Sequence, residues 1–218
     1  MATPWAATVI LDCDSTLSAI EGVDEVAGPH KAESERLTQL AMQGQIPLEE
    51  VYGRRLDLIR PSRTAIEQLG ELYIARLLPG AREAVAELHR HGVVVQLLSG
   101  GFAQAVEAVG KAIAVPAERV AAVRLIFDPA GGYRDFDRAS PMTRSGGKRE
   151  WIIANDARLP RRRIMVGDGV TDLETRPVVD CFAAFTGVVR REAVVTAADA
   201  ILDRLEQAVA LALNGPPR

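Results

Sequence analysis

The residues of this sequence best suited to chemistry are two pairs of aspartates. Asp12 and Asp14 follow one short apolar run, and Asp168 and Asp172 follow another. Carboxylates held this close raise one another's pKa unless a cation lies between them. An all-oxygen site of this kind suits Mg²⁺, which binds few protein carboxylates together with a substrate phosphate. One pair alone would indicate helix caps and turns, but two pairs that each follow a predicted strand favour a metal site.

A serine, two glycines and a lysine could supply the anion-binding half of the same site. Ser99 offers a hydroxyl, and Gly100 and Gly101 allow backbone N–H groups to approach an anion. Lys148 stands at the start of a predicted helix, where its charge could neutralise a phosphate. Taken singly, these residues would be a helix cap and a surface lysine. The Gly-Lys pair precedes Arg149 and lacks the earlier glycine of a Walker loop, which excludes a P-loop protein.

These polar clusters follow buried strands that alternate with helices. Continuous apolar runs predict strands at 7–11, 93–98 and 164–166, each covered on both faces. Helices between such strands are typical of a doubly wound, Rossmann-like α/β fold with a parallel sheet. Because ligands bind at the carboxyl ends of the strands in these sheets, we expect the clusters to meet at one edge.

The region after the first strand has a different character, because apolar and charged positions recur there at helical spacing. The predicted helices are 33–42, 48–59 and 64–77. We therefore predict an α/β core of residues 1–17 and 78–218, with a helical cap of residues 18–77 inserted in it. A β-hairpin is predicted within 123–136, around an Asp-Pro-Ala-Gly-Gly turn.

The charge and cysteine content exclude several classes of protein. The chain has 26 lysine and arginine residues against 29 aspartate and glutamate residues, a formal net charge of −3. A nucleic-acid-binding surface needs a clustered basic excess, so we expect no nucleic-acid partner. The two cysteines, Cys13 and Cys181, lack metal-type spacing and fit a reducing cytoplasm. We find no signal peptide and no apolar run of the ~18 residues that span a bilayer, so we expect a cytoplasmic protein without a membrane partner.

Four motifs, in this order, resemble those of the haloacid dehalogenase superfamily. They are Asp-Cys-Asp-Ser-Thr at 12–16, Ser-Gly-Gly-Phe at 99–102, Gly-Gly-Lys at 146–148 and Gly-Asp-Gly-Val-Thr-Asp at 167–172. Further segments resemble the phosphoserine phosphatases of that superfamily, so that the resemblance covers nearly the whole chain. These segments are 21–25, 41–44, 55–59 and 61–63. The resemblance implies a helical cap over the active site and a Mg²⁺-dependent phosphatase that hydrolyses phosphoserine through a phospho-aspartate.

The resemblance also implies a role for each aspartate. Asp12 would be the nucleophile that becomes phosphorylated, and Asp14 the general acid for the leaving oxygen and then the base for water. Asp12, Asp168 and the backbone carbonyl of Asp14 would hold Mg²⁺. Asp172 would order the metal loop without binding the ion. Neighbouring side chains point in opposite directions at the end of a strand, so the side chain of Cys13 should point away from the metal site. We therefore expect Cys13 to pack in the core and not to act as a nucleophile.

The same resemblance implies which residues hold the substrate. The phosphoryl group would be bound by Ser99, Gly100, Gly101 and Lys148. Glu21 would contact the ammonium group of phosphoserine and Arg55 its carboxylate, the two ion types that a zwitterion requires. Met42 would shape the pocket, and Thr171 would contact the substrate and help to order the metal loop. Gln43 stands where glycine is common in the family, beside the pocket position at Met42.

Two other functions fit parts of this pattern. A phosphatase or phosphotransferase acting on another small phosphomonoester would carry the same chemical residues, because only the cap selects the substrate. A receiver-like phospho-signalling module also combines acidic residues, a hydroxyl, a lysine and Mg²⁺ on an α/β fold. Receivers are shorter, lack a helical cap and have no second aspartate two residues after the phosphorylated one. The only protein partner that we consider is a second copy of this chain, in a homodimer.

Overall fold

Parallel strands form the centre of the molecule, as predicted. The computed structural model describes residues 3–42, 46 and 48–216. Its strands are β1 (Thr8–Leu11), β2 (Val94–Phe102), β3 (Val120–Val123), β4 (Leu125–Phe127), β5 (Tyr133–Phe136), β6 (Arg163–Gly167), β7 (Cys181–Phe185) and β8 (Ala200–Leu202). Six of these described strands form one parallel sheet in the order β3-β2-β1-β6-β7-β8. The doubly wound α/β fold is therefore confirmed.

Helices cover this sheet. They are α1 (Gly22–Ala27), α2 (Lys31–Met42), α3 (Leu48–Ile59), α4 (Arg63–Ala75), α5 (Ala81–Arg90), α6 (Ala103–Ala112), α7 (Gly147–Ala154), α8 (Val170–Leu173), α9 (Glu192–Thr196) and α10 (Glu206–Asn214). Every residue of β1, β6 and β7 is buried, which explains why these segments are mostly apolar and do not alternate, with Thr8 and Arg163 as the polar residues at the starts of β1 and β6. No helix in the described part of the chain is long and apolar enough to cross a membrane.

The sheet reverses its winding between β1 and β6. From β1 the chain adds β2 and β3 on one side, and later adds β6, β7 and β8 on the other. In doubly wound sheets ligands bind at this switch point, beyond the carboxyl ends of the strands. Leu11 pairs with Val166 across the switch, so the polar residues that follow β1 and β6 lie side by side.

Helices α1 to α4 are inserted between β1 and the rest of the core. Ser62 caps α4 by accepting a hydrogen bond from the backbone N–H of Ala65 at 3.2 Å. Ser18 and Leu77 pair through an antiparallel bridge, so the two ends of the inserted region lie together. We keep the division into a cap of residues 18–77 and a core as a proposal, which this bridge supports.

Two predicted boundaries differ from the observed ones. The strand predicted to end at residue 98 continues as β2 to Phe102, with an irregular register between Leu98 and Phe102. The Ser-Gly-Gly motif therefore lies at the end of a strand, as predicted, and is itself part of that strand, with α6 beginning at Ala103. The predicted hairpin is formed by β4 and β5, but its first residue, Val123, belongs to β3 in the main sheet. Residues 120–127 form one nearly continuous apolar run, which gives no sign that it is shared between two sheets.

Candidate active site

A cavity of about 690 Å³ lies at the switch point, between the core and the inserted helices. Its walls combine acidic, basic and small residues from both parts of the chain. From the core they include Asp12, Asp14, Gly100, Gly101, Lys148, Asp168 and Thr171, and from the insertion Glu21, Tyr52 and Arg55. The fold thus brings together residues that are up to about 160 positions apart in the sequence.

Lys148 is held between two buried aspartates. Its Nζ lies 2.8 Å from Asp12 Oδ1 and 2.6 Å from Asp172 Oδ1. Burial raises the pKa of Asp12 to about 6, with Lys148 opposing the shift. Burial also raises the pKa of Asp172 to about 7, assisted by the charge of Asp12. Burial alone would lower the pKa of Lys148, but the two carboxylates outweigh it and raise the pKa, so the lysine stays charged.

Asp14 is fixed by donors from three segments. Its Oδ1 accepts hydrogen bonds from the backbone N–H of Gly22 at 2.6 Å and from the hydroxyl of Tyr73 at 2.5 Å. Its Oδ2 accepts one from Ser99 Oγ at 3.3 Å. Burial and the charge of Glu21 raise the pKa of Asp14, while the bonds from Tyr73 and Gly22 lower it. The net shift is upward, which favours a carboxyl that can hold a proton for transfer.

The acidic residues beside Lys148 fit a divalent cation. Asp12, Asp168 and Asp172 each place a carboxylate oxygen within 4.8 Å of the others. Burial and the nearby Asp172 raise the pKa of Asp168 to about 6. Such buried carboxylates need positive charge beyond one lysine, and hard oxygen donors suit Mg²⁺. Asp172 accepts hydrogen bonds at both oxygens, from Lys148 and from the N–H of Gly169 at 2.9 Å, and Asp168 does so too, from Thr16 at 3.2 Å and Arg191 at 2.6 Å. Asp168 lines the cavity whereas Asp172 does not, which favours Asp168 as the ligand and Asp172 as the residue that orders the loop.

Asp12 has one carboxylate oxygen available for chemistry. The backbone N–H of Cys13 at 2.8 Å and Lys148 both donate to Oδ1. No residue in the described ranges donates a hydrogen bond to Oδ2. Cys13 itself is fully buried in the core, and burial raises the pKa of its thiol well above its usual value. Oδ2 of Asp12 is therefore better suited than the thiol to act as the nucleophile.

The phosphate-binding residues expected from the sequence lie around these aspartates. Ser99 is fully buried, and its Oγ accepts a hydrogen bond from the N–H of Gly101 at 2.9 Å. Gly100, Gly101 and Thr171 line the cavity. The side chain of Met42 and the whole of Gln43 lie outside the residues that the structure describes.

Two charged residues of the insertion face the same cavity. Arg55 on α3 donates from Nη2 to Asp24 Oδ1 at 2.9 Å and from Nε to Ser34 Oγ at 2.6 Å. Glu21 accepts a hydrogen bond from Ser15 Oγ at 2.6 Å. These hydrogen bonds hold the guanidinium group of Arg55 and the carboxylate of Glu21 in position. On its insertion side the cavity is lined by one cation, Arg55, and by three acidic residues, Glu21, Asp24 and Glu35, of which Asp24 is paired with Arg55.

Sequence reasoning missed three residues of the site. Tyr52 donates from its hydroxyl to the carbonyl of Gly100 at 3.1 Å. Arg191 lies 2.6 Å from Asp168 Oδ2 through Nη1 and 3.8 Å from Glu21 through Nη2. The third is Tyr73. None of them belongs to a recognisable motif, and their helical or loop positions alone predict packing or a solvated charge.

The comparisons with known proteins agree with this geometry. A family model described as haloacid dehalogenase-like hydrolase matches residues 6–176. Human phosphoserine phosphatase is 40% identical over 193 residues, which cover 87% of this chain and 85% of the human protein. The chloroplastic phosphoserine phosphatase of Arabidopsis thaliana is 38% identical over 207 residues, covering 92% of this chain and 70% of the plant protein.

A solved structure extends the likeness from sequence to fold. It is described as a phospho-aspartyl intermediate analogue of phosphoserine phosphatase, and it matches with a TM-score of 0.73 and 26% identity. The match covers 94% of this chain and 97% of the other. The chain therefore belongs to the haloacid dehalogenase-like hydrolases and, within them, to the phosphoserine phosphatase family.

Proposed function

We propose that this chain hydrolyses phosphoserine to serine and inorganic phosphate, with Mg²⁺ as cofactor and a phospho-aspartate on Asp12 as intermediate. The observation that carries the proposal is the buried Asp12–Lys148–Asp172 arrangement, of which Asp12 and Lys148 line the same cavity as Arg55 and Glu21. The first group is suited to phosphoryl transfer and the second to a zwitterionic amino acid. The family of the chain supports both assignments.

The first half of the reaction transfers the phosphoryl group to the enzyme. Oδ2 of Asp12 attacks phosphorus, the bond from phosphorus to the serine oxygen breaks, and Asp14 gives its proton to that oxygen. Lys148, Ser99 and the N–H of Gly100 stabilise the charge on the transferring group. Asp12, Asp168 and the backbone carbonyl of Asp14 would hold Mg²⁺, whose positive charge would reduce the repulsion between the attacking carboxylate and the phosphate.

The second half returns Asp12 to its starting state. Asp14, now ionised, takes a proton from a water molecule whose oxygen attacks the phosphorus of the phospho-aspartate. The bond between phosphorus and Asp12 breaks, and inorganic phosphate leaves. Asp14 ends protonated, ready for the next substrate.

In this proposal, residues of the insertion select the substrate. Phosphoserine carries an ammonium group and a carboxylate beside its phosphate ester, so a selective site needs one anion and one cation that binds two oxygens. Glu21 and Arg55 are these types, and Arg55 is held in place by Asp24 and Ser34. Met42 and Thr171 are proposed to complete this pocket. The cytoplasmic location and the homodimer remain predictions.

Phosphate release from a panel of small phosphomonoesters tests the proposal. With Mg²⁺ present, kcat/KM for phosphoserine should exceed that for glycerol phosphate and phosphoethanolamine by about a hundredfold or more, because glycerol phosphate lacks both the ammonium group and the carboxylate and phosphoethanolamine lacks the carboxylate. Excess EDTA should remove the activity, and added Mg²⁺ should restore it. Metal-dependent turnover led by another ester would keep the chemistry and overturn the substrate. Absence of turnover on every ester would overturn both.

Arg55→Ala tests the recognition of the carboxylate. We expect KM for phosphoserine to rise by about 10- to 100-fold, since a charge-assisted bond is lost. KM for p-nitrophenyl phosphate, which has no carboxylate, should change little. Arg54→Ala is the matched control, because Arg54 is the preceding residue on the same helix and pairs with Glu50 in solvent. Equal effects of Arg55→Ala on both substrates would disprove this role.

A further inference from the structure

Tyr73 is a buried residue of the inserted helix α4 that reaches the reacting groups. Its side chain is 0% exposed and belongs to the hydrophobic core. Its hydroxyl nevertheless lies 2.5 Å from Asp14 Oδ1, the carboxyl that the mechanism uses to move protons. Neither the sequence motifs nor the family match assigns a function to this tyrosine.

The path of the Tyr73 hydroxyl to Asp14 is kept open by two glycines from other segments. A Cβ atom at Gly22, the first residue of α1, would lie 2.0 Å from Tyr73 Oη. A Cβ atom at Gly101, near the end of β2, would lie 3.3 Å from Tyr73 Oη and 3.0 Å from Asp14 Oδ2. Any side chain at Gly22 would therefore displace the hydroxyl. Three segments of the chain are arranged so that it can reach the carboxyl.

The two carboxylate oxygens of Asp14 accept hydrogen bonds from different donors. Oδ1 accepts from both Gly22 N and Tyr73 Oη, whereas Oδ2 accepts from Ser99 Oγ at the longer distance of 3.3 Å. An oxygen that accepts two short hydrogen bonds cannot carry a proton without losing one of them. Any proton on this carboxyl therefore sits on Oδ2, beside the phosphate-binding Ser99.

We propose that Tyr73 is a positioning residue for phosphoryl transfer, which holds Asp14 so that Oδ2 delivers the proton to the leaving oxygen. The inference rests on the proposed function of Asp14 as general acid. Tyr73 donates to Oδ1 throughout and transfers no proton itself. Because it lies on α4, the inserted helices contribute to the chemical step as well as to substrate recognition.

A purely structural role makes a different prediction. A tyrosine in a core needs a partner for its hydroxyl, and Asp14 could merely be that partner. Its removal would then lower the stability and would affect all substrates alike. A positioning role instead affects substrates according to how much their leaving group needs a proton.

Tyr73→Phe separates the two roles through the leaving group. The serine alkoxide needs a proton to leave, but p-nitrophenolate does not, so kcat/KM should fall by about tenfold or more for phosphoserine and by less than about threefold for p-nitrophenyl phosphate. The ratio kcat/KM reports the steps up to the phospho-aspartate, so the later role of Asp14 with water does not enter. Tyr133→Phe is the matched control, since its buried hydroxyl has no partner among the described residues and it lies outside the cavity. Tyr133→Phe should leave kcat/KM unchanged for phosphoserine and for p-nitrophenyl phosphate.

Each result decides the inference. Equal losses on both substrates, or no loss on phosphoserine, would overturn it, and thermal unfolding of both variants shows whether a loss comes from unfolding. If Tyr73→Phe does not fold, Gly22→Ala should give the same split, because its methyl group displaces the hydroxyl. If the unmodified enzyme cleaves p-nitrophenyl phosphate but not phosphoserine, the substrate proposal fails. The leaving-group comparison is then made with the alkyl ester that it does cleave.

Discussion

Asp12→Asn should reduce phosphate release from phosphoserine by about 10⁴-fold or more while the protein stays folded. The loss is expected because the amide is a very poor nucleophile at phosphorus, and loss of a covalent nucleophile typically costs this much or more. The measurement is steady-state phosphate release at saturating phosphoserine and Mg²⁺. A second measurement is the mass of the acid-quenched protein, which should show a phosphorylated fraction for the unmodified enzyme and none for the variant.

The fold of Asp12→Asn should survive because the substitution keeps the shape and most hydrogen bonds. The asparagine oxygen can still accept from the N–H of Cys13 and from Lys148, which retains its bond to Asp172. One of several neighbouring buried negative charges is removed, so in metal-free buffer Tm should be equal to or above that of the unmodified protein. Asp203→Asn, on the surface, is the control. Turnover within about tenfold of the unmodified enzyme would exclude Asp12 as nucleophile.

Three of the residues proposed to carry the chemistry could be located in the sequence because each lies at or just after the end of an apolar strand. Asp12 follows β1, Ser99 lies near the end of β2, and Asp168 follows β6. In a doubly wound sheet these three strands are neighbours, so order along the chain becomes proximity in space. Lys148 could be assigned only through the motif around it, since nothing local distinguishes it from a surface lysine.

The residues that were missed approach the site from positions where no pattern indicates function. Tyr73 occupies an apolar position of α4, where an aromatic residue predicts core packing, and only the structure shows where its hydroxyl lies. Arg191 is one of two adjacent arginines before α9, and its partner Asp168 is 23 positions away. Local propensity contains no information on such long-range pairs, because they depend on how the loops cross the sheet edge. The same limit explains why Val123, the last residue of β3, was assigned to the hairpin.

Lys148→Met should abolish turnover and also destabilise the protein. Removing one partner of a buried ion pair costs about 3–5 kcal/mol, because the remaining charges are left without compensation. Asp12 and Asp172 would both lose their cation. The cost should be larger at about pH 8 than at about pH 5, because both carboxyls have raised pKa values and take up protons as the pH falls. Urea unfolding in EDTA at the two pH values measures this loss in the free energy of unfolding. Lys111→Met is the control, because Lys111 is exposed.

A second substitution separates the structural from the chemical contribution of Lys148. Lys148→Met combined with Asp172→Asn leaves one fewer uncompensated carboxylate, so the double variant should regain a large part of the lost free energy of unfolding. It should not regain turnover, because the transferring phosphoryl group still lacks the lysine charge. Recovery of both would mean that Lys148 serves only to neutralise the aspartates. Recovery of stability without activity, provided that Asp172→Asn alone retains turnover, would assign Lys148 to the phosphoryl group. It would also explain why a buried lysine is retained here although an apolar residue could fill the same space at less desolvation cost.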